Sequence, residues 1–448
     1  MPYIDNVAEL STILNSIPTA ETAKMAIIRL TSHFAIATAD NLDMKKTVEL
    51  RAKKIEEELT QAGVTPENLA QKRKVLEQEY QQKVAKQAHK EQRGLFKALK
   101  ENGVAVNIIL EDKAKIEAEK FSYYTDQIFA TDTGQYFTKN GDLLFIPSHF
   151  KNKQRQGEER LAIAQAENIN AHVYPLHSSQ GNKLIFEGGD IRQMPGKKLF
   201  FIGQGYRSDA ETGKAIAKIS GYFVLPIKLL QEQFYHLDCC FLPLPNNSAV
   251  IYEGEYVRDA GGNYILDNNE WPILVPETET MAAESRALIR TIYPKDKLIL
   301  INKPEALAFA TNAAVLQSVT DGRFKMFVNG DRNSLTDNED LAIEKHTISF
   351  TARQLAQLKA VTNGVMDIIE VPYKMMHSSG GSVRCTVQEV ACTTQALKPH
   401  KANQFYFSDK VDNLEMKLAK LPVSFFAKRK SCAQEDERNL IMSLNISF

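Results

Sequence analysis

The chain lacks net charge: 55 Lys and Arg are balanced by 55 Asp and Glu over 448 residues. Without a basic field there is no electrostatic footprint for nucleic acid, so none is expected as a partner. No apolar run approaches the roughly 18–20 residues that a membrane-crossing helix needs. The opening Met1-Pro2-Tyr3-Ile4-Asp5 has neither the basic nor the apolar region of a Sec leader. Cysteine is sparse and odd in number, five in all, with Cys239 adjacent to Cys240. That count argues against a disulfide framework and for a reducing, cytoplasmic setting, with non-classical export left open.

Metal and cofactor signatures are missing too. There is no Cys/His spacing for a metal and no His-Glu-x-x-His. Gly203-x-Gly205 has no third glycine, so it is not a dinucleotide fingerprint. Counted from Asp331, the stretch Phe327 to Asn333 lacks the glycine and terminal glutamate of a calcium loop. No metal and no cofactor are expected. The hydrophobic share of 43% and charged share of 25% describe an ordinary globular chain.

What is present begins with a short, β-branched apolar run at Lys24 to Leu30, read as a buried strand. A Lys-, Glu-, Gln- and Ala-rich segment follows, about Asp43 to Lys100. Its first helix is expected to end near Gln61 at Gly63, and Thr65-Pro66 restarts a second as N-cap and first turn. Met44, Val48, Ile55 and Leu59 lie close to one stripe, and Leu69, Leu76, Tyr80 and Val84 on another. This predicts a helical hairpin with charged outer faces, either an exposed insertion or an arm for an oligomer or partner.

Beyond Val104 to Leu110 strands dominate: Gln127 to Phe137, Leu143 to Pro147, Lys183 to Phe186, Lys198 to Ile202, Gly221 to Leu229, Cys240 to Leu244 and Ser248 to Glu253. Helices are expected at Glu158 to Asn168, Ser208 to Ile219 and Thr278 to Ile292. The alternation predicts an α/β or α+β fold.

Three motifs carry chemistry. Glu187-Gly188-Gly189-Asp190 is followed by His236-Leu237-Asp238 and by Gly380-Gly381-Ser382-Val383-Arg384-Cys385; upstream stands Asp132 in Ala130-Thr131-Asp132-Thr133-Gly134. Each alone fits a bland role: a glycine turn, a core histidine, a small buried thiol. Together they suit attack on a guanidinium carbon. That planar cation is bound by carboxylates, a role for Asp132 and Asp238. Cys385 supplies the thiolate. His236 protonates the leaving amine and then activates water, with Glu187 holding its charged form. Cys239, Cys240, Cys392 and Cys432 are read as packing residues.

In this order the motifs resemble the guanidino-group modifying enzymes: arginine and agmatine deiminases, dimethylarginine dimethylaminohydrolases and amidinotransferases. The resemblance spans roughly Lys24 to Val390. It implies a five-bladed α/β propeller (pentein) of ββαβ units with an inserted helical hairpin. Residues 1–42 would start the propeller, 43–100 form the charged hairpin ending in the first propeller helix, 101–395 complete the catalytic domain, and 396–448 extend beyond it. That extension, with Lys428-Arg429-Lys430, departs from the family pattern.

The resemblance also implies a cysteine-dependent hydrolase, a deiminase giving a ureido product and ammonia through a covalent thiouronium. Asp238, two residues after the histidine, favours an unmethylated arginine-type guanidinium. Arg207 in Gly203-Gln204-Gly205-Tyr206-Arg207-Ser208 resembles a binder of the substrate carboxylate. Arg155 resembles the first arginine of an Arg-Arg-Gly-Glu stretch, whose second arginine is Gln156 here. An amidinotransferase, an enzyme acting on arginine within proteins, and a silent scaffold working through helices 43–100 are the alternatives.

Overall fold

The computed structural model describes residues 3–30, 42–110, 126–330 and 349–392, with the pair 405–406. The extension 396–448, with its basic triplet and Cys432, thus lies outside the described residues except for that pair.

Asparagine and glycine set the local pattern. Asn140 and Gly141, at φ 54° and 92°, join strand Gly134–Lys139 to Asp142–Pro147 with Lys139 opposite Asp142. A left-handed pair of this kind matches the twist of the strands it connects. Asn246 and Asn247, at φ 62° and 51°, serve the same end between Phe241–Leu244 and Ser248–Ile251. Two further antiparallel pairs are Ile191–Gln193 with Leu199–Gln204 and Ala314–Gln317 with Phe324–Asn329.

After each pair a helix brings the chain back so that a third strand can add in parallel, a connection no tight turn can make. Helix Glu159–Asn168 leads to His172–Val173, Thr212–Ser220 to Phe223–Lys228, Ala283–Ile292 to Leu298–Leu300, and Ala352–Val361 to Met366–Val371. The fifth sheet joins both ends of the chain. Val387–Ala391 pairs antiparallel with Ala23–Leu30, which pairs parallel with Ala105–Leu110; Phe405–Tyr406 adds at that edge. The result is an α/β propeller of five ββαβ units. The first strand of every unit reaches one central cavity, through Gln135, Gln193, Leu242, Val315 and Glu389. Apolar runs such as Phe200-Phe201-Ile202, fully buried, fill the space between units.

In the fifth unit the crossover is enlarged. Helix Leu42–Gln61 is followed by Pro66–Glu101, with Thr65 as N-cap and Pro66 in its first turn. Ile55, Leu59, Leu76 and Tyr80 pack on one another at the outer end of this hairpin. Nearer the ring, Met44, Val84, Ala88, Leu95, Phe96 and Leu99 join the core beneath the fifth sheet. The apolar stripe is therefore buried within the chain.

Two expected strands differ. Gln127 to Thr133 forms turns, with Phe129 N–H donating to Asp126 O and Asp132 N–H to Phe129 O, and the strand starts only at Gly134. Lys183 to Phe186 makes only single bridges, to His177 and His149, because the chain there crosses between units. Among the described residues no helix is long and apolar enough to cross a membrane.

Candidate active site

Each unit carries a short irregular segment just before its first strand, and these segments meet at one mouth of the ring. Asp132 lies in the turn Ala130–Thr133, Glu187 just ahead of the turn Gly188–Asp190, and His236 and Asp238 at the turn Leu237–Cys239. Cys385 lies in the single helical turn Val383–Thr386. Asp132, Arg155, Arg207 and Cys385 line one cleft, and Glu187, His236 and Asp238 lie behind it through the contacts below. The seven residues expected from the sequence are thus brought together.

The glycines are there for access. A Cβ on Gly189 would run into the His236 ring, and one on Gly188 into the carbonyl of Thr131. Only glycine lets the second and third units approach this closely. The approach lets His236 Nε2 meet Glu187 Oε2 at 2.9 Å and puts its Nδ1 3.8 Å from Asp132 Oδ1.

Burial works against the charge of this histidine, but Asp132, Glu187 and Asp190 outweigh it and raise its pKa to about 9. For Glu187 burial pulls upward; the His236 hydrogen bond and charge, then Arg207, bring the carboxyl down to about 2. At neutral pH the pair is imidazolium and carboxylate, which suits His236 to give a proton.

Arg155 is already committed. Its Nη1 donates to Asp132 Oδ2 at 2.9 Å, its Nε and Nη2 clasp Glu158, and its guanidinium lies over the Phe150 ring. One oxygen of Asp132 is therefore taken, while the other, Oδ1, is buried without a hydrogen-bond partner. Arg207 is half-buried; it lies 3.4 Å from Glu187 and over the Tyr235 ring.

Cys385 is 3% exposed. Its Sγ lies 4.0 Å from Asp238 Oδ2, and Asp238 also takes a contact from Cys239 at 3.6 Å. Burial pushes the Cys385 thiol far up, and Asp238 and Asp132 push it further. Without a cation in the cleft the sulfur is neutral. Among the described residues no group of three or more His, Cys, Asp or Glu has the arrangement to hold a metal.

Sequence reasoning missed several contributors. Asn312, ahead of the first strand of the fourth unit, touches Cys385 itself, its Nδ2 3.1 Å from Sγ. Nothing around it, Ala310-Thr311-Asn312-Ala313, marks a site; the usable signal was its place two residues before a strand. Tyr235 donates to Gly380 O at 2.8 Å and lines the cleft beside Asp126. The arm contributes as well. Met44 lines the cleft, Thr47 donates to Ser378 O at 2.9 Å, and Glu91 accepts from Met375 N–H at 2.8 Å and Met376 N–H at 3.3 Å. Those bonds fix the segment that leads through Gly380-Gly381 to Cys385.

The family model described as N,N dimethylarginine dimethylhydrolase, eukaryotic, matches residues 51–392. The bifunctional arginine dihydrolase/ornithine cyclodeaminase AgrE of Nostoc is 30% identical over 196 residues, 44% of this chain and 24% of that protein. ArgZ of Synechocystis, described in the same words, is 27% identical over 197 residues, 44% of this chain and 23% of its own length. The matched region thus spans about a quarter of these relatives. Among solved structures, the N-terminal domain of the cyanobacterial ArgZ bound to product superposes with a TM-score of 0.54 at 20% identity, covering 82% of this chain and 97% of that one. That likeness is one of fold.

The Glu187–His236 pair gives a pH signature. The raised histidine contributes stability in full below its unfolded value near 6.5 and loses it as pH rises through about 9. The depressed glutamate contributes above its unfolded value near 4.3 and loses it as pH falls through about 2. Glu187→Gln should therefore cost most between about pH 4.5 and 6.5, on the order of 3 kcal/mol for breaking a buried pair. The deficit should narrow towards pH 9 and above. Urea unfolding across that range checks it; a deficit independent of pH would contradict the pairing.

Proposed function

Because the chain belongs to the eukaryotic N,N dimethylarginine dimethylhydrolase family, and so to the guanidino-group hydrolases, we propose that it hydrolyses an unmethylated, arginine-type guanidinium by covalent catalysis at Cys385. The observation that carries this is one sulfur sharing a buried site with two carboxylates, Asp238 and Asp132, beside a protonated histidine.

The substrate cation enters between Asp132 and Asp238. Oδ1 of Asp132, which holds no hydrogen bond, accepts one guanidinium N–H, and Asp238 accepts from the opposite side. The incoming charge reverses the field on the thiol, so the substrate itself favours the thiolate. The displaced proton passes to Asp238, whose Oδ2 faces Sγ.

Sγ then bonds to the guanidinium carbon. The bond from that carbon to a terminal nitrogen breaks as His236 gives its proton, and ammonia leaves. A thiouronium remains on Cys385. His236, now neutral, takes a proton from water as that water attacks the same carbon. The C–S bond breaks with its electron pair going to sulfur, which takes the hydroxyl proton of the adduct and is a thiol again. The proton held by Asp238 is lost to solvent, where it converts the released ammonia to ammonium, and a ureido product departs. Glu187 keeps His236 oriented and charged for the first step.

Asp238 argues for an unmethylated nitrogen. A methyl group there would remove an N–H donor and leave a buried carboxylate unpaired, which discriminates strongly. The family match favours a second reading, in which a methylated arginine is hydrolysed. The relatives' description as dihydrolases adds a variant of the first, hydrolysis of the ureido product in turn.

Mass-spectrometric product analysis with arginine, agmatine, dimethylarginine and an arginine peptide, with and without glycine as amine acceptor, separates these. A ureido product from an unmethylated substrate, absent with Cys385→Ala, is expected. Full turnover by Cys385→Ala would end the mechanism, and turnover of dimethylarginine alone would favour the second reading. Product dependent on glycine would indicate an amidinotransferase.

Arg207, half-buried at the cleft, binds the substrate carboxylate. Arg207→Ala should raise KM for arginine about 10- to 100-fold, the scale of one charged hydrogen bond of 1.5–3 kcal/mol. It should alter turnover of agmatine, which has no carboxylate, far less. Equal losses for both substrates would refute the assignment.

A further inference from the structure

Four of the five units deliver an ionisable side chain of the reaction from the segment ahead of their first strand: Asp132, Glu187, the His236/Asp238 pair and Cys385. In the fourth unit the equivalent position, two residues before Ala314–Gln317, holds Asn312, which is fully buried. It bonds to the nucleophile's segment three times. Its backbone carbonyl accepts from Arg384 N–H at 3.1 Å, its Oδ1 from Cys385 N–H at 3.2 Å, and its Nδ2 lies 3.1 Å from Cys385 Sγ.

The second bond fixes what the third must be. A backbone N–H only donates, so the side-chain oxygen has to face Cys385 N–H. The amide is planar, and its NH2 is thereby turned to the sulfur as a donor. Asp238, which touches the same sulfur, is an acceptor when ionised. The sulfur thus stands between a group that favours the thiol and one that favours the thiolate.

The backbone leading to Asn312 is strained. Phe309, three residues earlier, has φ of 57°, an unusual conformation for a bulky residue. It is held there by burial, by an edge contact with the His377 ring 4.5 Å away, and by its carbonyl accepting from Asn312 N–H at 3.0 Å. Strain of this kind persists where the surroundings over-determine a functional position.

We propose that Asn312 is a catalytic residue, whose amide N–H donates to Cys385 Sγ and stabilises the thiolate, both in the small fraction present at rest and in the larger one formed once substrate occupies the carboxylates. This rests on Cys385 being the nucleophile. A donor aimed at developing negative charge in a dry site acts as an oxyanion-hole donor does, here for sulfur.

Asn312→Asp and Asn312→Ser test it, each keeping an oxygen able to accept from Cys385 N–H while removing the amide donor. The first readout is the second-order rate of Cys385 alkylation by iodoacetamide at pH 8, followed at the Cys385 peptide. Below the thiol pKa this rate tracks the thiolate fraction, and about tenfold slower is expected in both variants, more for Asp. The second is steady-state kinetics, with kcat lower by about 10- to 1000-fold and KM within a few-fold, as for loss of one such donor.

Alkylation and kcat at wild-type level in either folded variant would overturn the proposal. Should Asn312→Asp fail to fold, Asn312→Ser alone decides. Cys385→Ser run alongside keeps the premises apart. If Cys385→Ser turns over normally, the nucleophile assignment itself fails. If it is dead while the Asn312 variants behave as wild type, only the role of Asn312 falls.

Discussion

The site depends on a sulfur kept out of water among carboxylates. Burial raises the Cys385 thiol, and Asp238 and Asp132 raise it further, so the proposed nucleophile is uncharged at rest. This looks unfavourable for a nucleophile until a cation is added. In the proposed mechanism a guanidinium between those carboxylates reverses the local field, and reactivity appears where that cation is bound. On that proposal selectivity and activation come from the same carboxylates, and an exposed thiolate open to oxidation is avoided.

Holding those charges together requires the ring. One first strand of each unit reaches the central cavity, and the segments just ahead of them converge at one mouth. Closure comes from pairing Ala23–Leu30 with Val387–Ala391, which ties the segment bearing Cys385 to the start of the chain. The fifth unit adds a second restraint. Its enlarged crossover sends Thr47 and Glu91 onto the backbone of Met375 to Ser378. Glu91 is fully enclosed there; burial raises its carboxyl to about 7, against the pull of Gln87 and of the backbone N–H groups of Met375 and Met376. The charged arm read from composition is, at its inner end, part of the wall of the cleft.

Much of the site was legible because glycines flag it. Gly188-Gly189 and Gly380-Gly381 mark where backbones and rings must come close, and His-x-Asp places two ionisable groups at one turn. Asn312 left no such mark, since an amide among alanines looks like any turn before a strand. Arg155 was legible as a residue but not in its partners: pairing with Asp132 and Glu158 depends on how three separate loops fold. Gln127 to Thr133 was misread because apolar and β-branched residues also build buried turns. The split of the arm into a self-packed outer end and a docked inner end depends on which sheet lies beneath, which periodicity alone does not say.

The most direct test is to catch the intermediate. Arginine and wild-type enzyme would be mixed, quenched in acid at times from milliseconds to seconds and digested, and the Cys385 peptide weighed. The account predicts a peptide heavier by arginine less ammonia, confined to Cys385 and lost with Cys385→Ala. Steady production of a ureido product with no adduct on Cys385 at any quench time would contradict it.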